Sequence, residues 1–153
     1  MAVAVSEEIP APPGAVYSVL ADYRDGHPAI LPRRYFPFYL LEAGGVGSGT
    51  TIRFVFHLPG ARRTIRAVVS EPEPGRLLAE RDLETGTVTT FLVEPAGSGQ
   101  VSRVTIETIW DRSGLAGWVE RCLAPTFLER VYAEELSNLS VYCRLRFPRP
   151  AST

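Results

Sequence analysis

Four side chains in this sequence are of types that move protons at a carbon or oxygen centre: in falling order of promise, Glu135, Tyr39, His57 and His27. Glu135 leads because it stands where a carboxylate is costly. With Leu128 at zero and about 100° per residue, Tyr132, Leu139 and Cys143 fall within about 60° of one helical face, and Glu135 lands among them. Arg130, Ala133, Ser137, Ser140 and Arg144 take the far side. A carboxylate on an apolar face has to be paired or neutralised, and burial raises its pKa toward general acid–base use. The plainer alternative puts Glu135 at the edge of the stripe, reaching solvent or an arginine such as Arg53 or Arg66.

The two histidines are less committed. Strand parity sets His57 on a solvent-side face with Arg53 and Val55. His27 lies in the turn Asp25-Gly26-His27-Pro28, with Arg33-Arg34-Tyr35 close behind, a placement that suits an entrance greeting an anion or an ordinary solvated loop. Neither has acidic or cysteine partners at ligand spacing, so neither a metal nor a cofactor is expected. The glycine-rich run Gly44 to Gly49 lacks a following Lys-Ser or Lys-Thr and opens a strand. It is therefore a flexible hairpin connection and not a phosphate loop. No Gly-x-Ser-x-Gly elbow occurs, which removes the support for a hydrolase.

The elements that must carry these residues follow from periodicity. Ala2 to Ile9 reads as a first strand, broken by Pro10 to Gly14. Ala15 to Tyr23 is a short amphipathic helix, and Ala29-Ile30-Leu31 supports one further helical turn. From Phe36 the period becomes two. Phe36 to Glu42, Thr50 to Leu58, Arg63 to Glu71, Arg76 to Asp82, Thr87 to Glu94 and Val101 to Trp110 read as six strands joined by hairpin-length turns, hence as an antiparallel meander. Leu115 to Arg146 is the longest helical stretch, capped by Asp111 or Ser113 and kinked at Pro125. It is the one element long enough to cover the sheet. Phe54, Phe56, Phe91, Thr108 and Trp110 face inward by parity, and Trp118, Leu128 and Tyr132 do so from the helix.

Composition sets the outer bounds. The 153 residues, 45% hydrophobic and 22% charged, suit a single domain over residues 1–147 with a short tail at 148–153. A formal net charge of -1 offers nucleic acid no electrostatic attraction. No apolar run is long enough for stable membrane insertion. The N-terminus lacks a basic region before its acidic residues, so a cytoplasmic location is expected. Cys122 and Cys143 stand about 30 Å apart on one helix, beyond a disulfide's reach, and read as free thiols.

Several stretches together resemble one superfamily. They are Ile9-Pro10-Ala11-Pro12-Pro13, Val16-Tyr17 and Val19 to Tyr23, then the glycine turn into Gly49-Thr50, Gly75-Arg76-Leu77-Leu78, and Ala133 to Leu139. Nearly the whole chain resembles the START-like, or Bet v 1-like, superfamily, nearest its bacterial polyketide cyclase/dehydrase and lipid-transport branch. The resemblance implies an α+β helix-grip fold, in which a curved antiparallel sheet of about seven strands wraps a long C-terminal helix, with two short helical pieces after the first strand. It also implies a cavity between sheet and helix. The inward side chains Phe54, Phe56, Phe91, Thr108, Trp110, Trp118, Leu128 and Tyr132 would then contact a hydrophobic small molecule such as a lipid, quinone or polyketide-like aromatic. The expected function is binding or transport of that molecule. The alternative is a cyclase or dehydratase in the same cavity. A third expectation, a homodimer, rests on the Trp118 end of the helix.

Overall fold

The computed structural model describes residues 2–110 and 125–148. Strand β1 (Ala2–Ile9) ends at Pro10, and helix α1 (Pro13–Ala21) begins with Pro12 as its N-cap and Pro13 in its first turn. A missing N–H costs nothing there, because the first turn has no intrahelical acceptor for it. Val16, Val19 and Leu20 are buried and seat the helix. A five-residue helix, α2 (Gly26–Ile30), comes next. The meander follows as β2 (Phe38–Ala43), β3 (Thr51–Leu58), β4 (Ala61–Glu73), β5 (Leu77–Asp82), β6 (Val88–Ala96) and β7 (Val101–Ile109), and α3 (Pro125–Arg146) completes the order. All strands join one seven-stranded sheet, β1-β7-β6-β5-β4-β3-β2. Every pairing is antiparallel. This is the expected α+β helix-grip architecture.

Period-two patterning decides which side of the sheet is dry. Ile52, Phe56 and Leu58 of β3 are buried while Arg53 and His57 are exposed. Val104, Ile106 and Thr108 of β7 are buried while Arg103 is exposed. Against that face α3 sets Leu128, Val131, Tyr132, Leu136 and Leu139, all buried. Each such side chain contributes about 1.5–3 kcal/mol by leaving water. Ser140, expected on the solvent side, is buried as well, because the helix packs along β1 and α2 and so covers a wider arc than its apolar stripe. Cys143 is a buried free thiol whose pKa burial pushes up to about 11. The expected start of the helix at Leu115, its cap, the Pro125 kink, Trp118 and Cys122 involve residues outside those described, as does most of the tail.

Two expectations are corrected. His27 sits neither in a turn nor at an entrance: α2 begins at Gly26, and this turns the imidazole inward to 2% exposure. The glycine-rich connection is not loose either. Tyr23 N–H donates to Gly45 O (2.8 Å), Gly47 N–H to Ala21 O (2.9 Å), and Ser48 N–H to Glu71 Oε1 (2.8 Å). Tyr17 O–H grips the other oxygen of Glu71 at 2.7 Å. The loop thus clamps the α1–α2 corner from outside, and that corner carries His27.

Gly26 makes the corner tight. A Cβ there would stand 2.5 Å from Val19 O, which is backbone and cannot turn aside. Gly26→Ala is therefore expected to destabilise by about 1–3 kcal/mol through overpacking, measured by chemical denaturation. A variant as stable as the parent would show that α2 can shift freely against α1.

Candidate active site

Sheet, α2 and α3 enclose a cavity of about 90 Å3. That is room for several waters or part of a small organic molecule. Its wall is mainly apolar. Phe54, Phe56, Phe91, Thr108, Leu128 and Tyr132 all line it, joined by Phe36, Ile52 and Ile65. Trp110 does not: it is buried in the core at 4% exposure and is absent from the cavity wall. Trp118 lies outside the described residues.

Polar groups enter from three elements. A row across the sheet is fixed by register, since Glu80 pairs with Thr89 and Thr89 with Thr108. Thr89 and Thr108 share a hydrogen bond of 2.8 Å, and Thr108 continues it to the hydroxyl of Tyr132 above the sheet. Burial chiefly pushes the Tyr132 phenol above its ordinary range. From α2, His27 lies between Glu80 of the sheet and Glu135 of α3. Its Nε2 is 3.4 Å from Glu80 Oε2 and 3.8 Å from Glu135 Oε1. Tyr23 stacks on the imidazole (4.5 Å between centroids, 14° between planes) and donates its hydroxyl to Glu80 Oε2 at 2.6 Å. Phe91 meets the same ring edge-on at 5.0 Å.

The tautomer of His27 follows from its other nitrogen. Nδ1 is 2.7 Å from Leu20 O, and a carbonyl only accepts, so Nδ1 carries hydrogen. In the neutral ring Nε2 then presents a lone pair toward two carboxyl groups. Three acceptors facing one another need a proton among them. Glu135 is the group whose surroundings favour holding it. The group is 2% exposed, its Oε1 has no hydrogen-bond partner, and burial, with the charge of Glu80 second, pushes its pKa well above the carboxylate range. A carboxyl group pushed toward its acid form thus stands beside an imidazole in a mostly apolar space, which is the pairing acid–base catalysis uses.

The other candidates stay outside this group. His57 is exposed on the outer face, opposite Arg62. Tyr39 backs the site without lining it, donating to Tyr23 O at 2.7 Å. Arg53 and Arg66, the alternative partners for Glu135, pair instead with Glu42 at 3.2 and 2.9 Å. Arg34, part of the expected anion entrance, is held by Glu134 and stacks over Tyr35. At a separate part of the wall stands the ion pair Arg63–Asp82, 2.8 Å apart and little exposed. Among the described residues no group of three His, Cys, Asp or Glu side chains is arranged to hold a metal ion.

Sequence reasoning missed Glu80, Asp82 and Arg63. A signal was present for each. Glu80 and Asp82 continue the alternation from buried Leu78, and Arg63 has the parity of Ile65 and Ala67. Charged residues on a short strand read as outward by type, and parity had to outweigh type.

The sequence matches the family described as polyketide cyclase / dehydrase and lipid transport over residues 1–144. The chain belongs to this family. Its function lies within the family's range, hydrophobic ligand binding or cyclase-type conversion. No curated protein matches it in sequence. Among solved structures, the KanY protein is 29% identical with a TM-score of 0.80, covering 93% of this chain and 96% of its own. The Zhui aromatase/cyclase from Streptomyces sp. R1128 is 18% identical with a TM-score of 0.74, and coverage is 99% of both chains. A START superfamily protein from Mycobacterium smegmatis is 13% identical with a TM-score of 0.60, covering 95% of each chain. At such identities the last two speak for the fold. Among the described residues, no helix of this family member is long and apolar enough to cross a membrane.

Proposed function

We propose that this family member binds a small, largely apolar, carbonyl-bearing molecule between sheet and helix and performs cyclase- or dehydratase-type proton transfer on it. One observation carries the reading: His27, Glu80 and Glu135 converge on a single, mainly apolar cavity. A carrier needs walls and one polar anchor; a proton-transfer enzyme needs an acid and a base held apart.

The assigned roles follow from the geometry. The neutral carboxyl of Glu135 donates a hydrogen bond to the substrate carbonyl, and Nε2 of His27 removes a proton from the adjacent carbon. The C–H pair becomes the C=C of an enol while the carbonyl oxygen takes the Glu135 proton. Glu80, held by Tyr23, stabilises the imidazolium that forms. The enol can then return its O–H proton to Glu135 as its carbon attacks a second carbonyl or as a β-hydroxyl departs. In each case the oxygen that gains charge takes the proton held by His27, the β-hydroxyl leaving as water. Phe54, Phe56, Phe91, Leu128 and the Thr108–Tyr132 pair are assigned to folding and orienting the chain. The structural neighbour Zhui is an aromatase/cyclase, which agrees with this reading. The buried free thiol of Cys143 supports a reducing, cytoplasmic setting.

The half-reaction can be tested without the natural substrate. Deuterium incorporation next to the carbonyl of a small aryl ketone, followed by NMR in D2O, is expected to run faster with the protein than in buffer. A rate equal to buffer, with the ketone demonstrably bound, would leave the carrier function in its place. That second reading is favoured by one observation, the lipid-transport arm of the family.

A further inference from the structure

We infer that Glu80, with Glu135 beside it as a hydrogen donor, acts as a charge filter, so that the cavity accepts uncharged ligands bearing an oxygen acceptor and turns away carboxylates, fatty acids included. The inference rests on the cavity being the ligand site and adds the class of molecule that site takes.

The charged side chains on the wall fall into two groups. In the first, two carboxyl groups face one imidazole, at 3.4 Å for Glu80 and 3.8 Å for Glu135. Glu80 also receives the Tyr23 hydroxyl. Glu135 Oε1 has no hydrogen-bond partner and is sealed from solvent. A ligand carboxylate placed here would be a third acidic group around one imidazole, in surroundings that screen charge poorly. It would also need a second proton to avoid facing the acceptors bare. An uncharged carbonyl brings no charge and takes the hydrogen that Glu135 has to give, satisfying the group that the protein leaves unpaired.

The second group offers an anion no refuge. The Arg63 guanidinium reaches Asp82 Oδ2 at 2.8 Å and Glu84 Oε2 at 3.5 Å. Asp82 is itself fixed by the backbone N–H groups of Glu84 (2.9 Å) and Thr85 (3.4 Å). An incoming carboxylate would stand beside Asp82 and Glu84, whose charges already offset the arginine and oppose a third anion. An electrically matched arginine is a wall, not an anchor.

Two near-isosteres test this. The compounds 4-phenyl-2-butanone and 3-phenylpropionate differ in a methyl against a charged oxygen. Their affinities are to be compared by NMR titration of the protein at about pH 7.5, where the acid is ionised. The ketone is expected to bind at least about tenfold more tightly; a smaller or reversed ratio overturns the filter. In Glu80→Gln, which removes the charge and keeps the size, the ratio is expected to shrink at least about threefold, whereas Glu135→Gln exchanges one uncharged group for another and is expected to leave it as it is. An unchanged ratio in Glu80→Gln, or one that shrinks as far in Glu135→Gln, overturns the assignment. If neither compound shifts the resonances of Phe91 and Tyr132, the cavity is not the ligand site and the proposal falls with that reading; if both bind equally, only the filter falls.

Discussion

Glu135→Leu is expected to raise the unfolding free energy by about 1–3 kcal/mol while abolishing proton transfer. The gain comes from removing a carboxyl that gave up water and received no hydrogen bond at Oε1. A leucine of similar reach lies between Leu128, Tyr132, Leu136 and Leu139, which are buried on the same helix. The pH dependence makes the effect specific. The native pKa of Glu135 lies well above the ordinary 4.5, so above that value the folded state holds a proton that the unfolded chain has released. The stabilisation tied to this proton is complete below the ordinary pKa and is lost as pH rises through the native one, at about 1.4 kcal/mol per unit. Glu71 has the opposite sign: the Tyr17 hydrogen bond, its largest cause, lowers its pKa, so its contribution is lost as pH falls. Urea denaturation from mildly acidic to mildly alkaline pH should therefore show the parent losing stability toward high pH, with Glu135→Leu losing less. A parallel loss in both proteins would mean that Glu135 is already ionised in the fold.

The second large effect belongs to His27. His27→Asn keeps a donor for Leu20 O but removes the nitrogen facing Glu80 and Glu135. Ketone α-exchange should drop by about 10²–10⁴-fold. Stability should fall by about 1–3 kcal/mol, because the smaller side chain abandons the stack on Tyr23 and the edge contact to Phe91. Binding of the uncharged ketone should persist, since the cavity walls and Glu135 remain. Exchange at the parental rate in a folded His27→Asn protein would transfer the base to Glu80 and remove His27 from the mechanism. Glu80→Gln separates those cases: as a partner of the imidazolium it should slow exchange without eliminating it.

The same residues show where local sequence patterns are informative. Strand faces in β3, β4 and β7 were legible because alternation is a local property: Arg53 out, Ile52 in, with no distant partner needed. Glu135 stood out for the same reason, a single misfit in a helical repeat. His27 was misread because its direction depends on the short α2, and five residues carry too little periodicity to announce a helix. Asn138 Nδ2 of α3 donates to Ile30 O at 3.0 Å, a tie between residues far apart in sequence that no local pattern encodes.

By itself, the sequence determined the order of elements, the inward faces of β3, β4, β6 and β7 and the acidic intruder in the terminal helix, because each is written in spacings of two to four residues. Only the tertiary structure decided what Glu135 meets. The register that aligns Glu80 with Thr89 and Thr108, and the clamp that turns the α1–α2 corner inward, bring three separate elements to one imidazole. Such a meeting depends on long-range pairing, in which a slip of one residue would send every side chain of a strand to its other face.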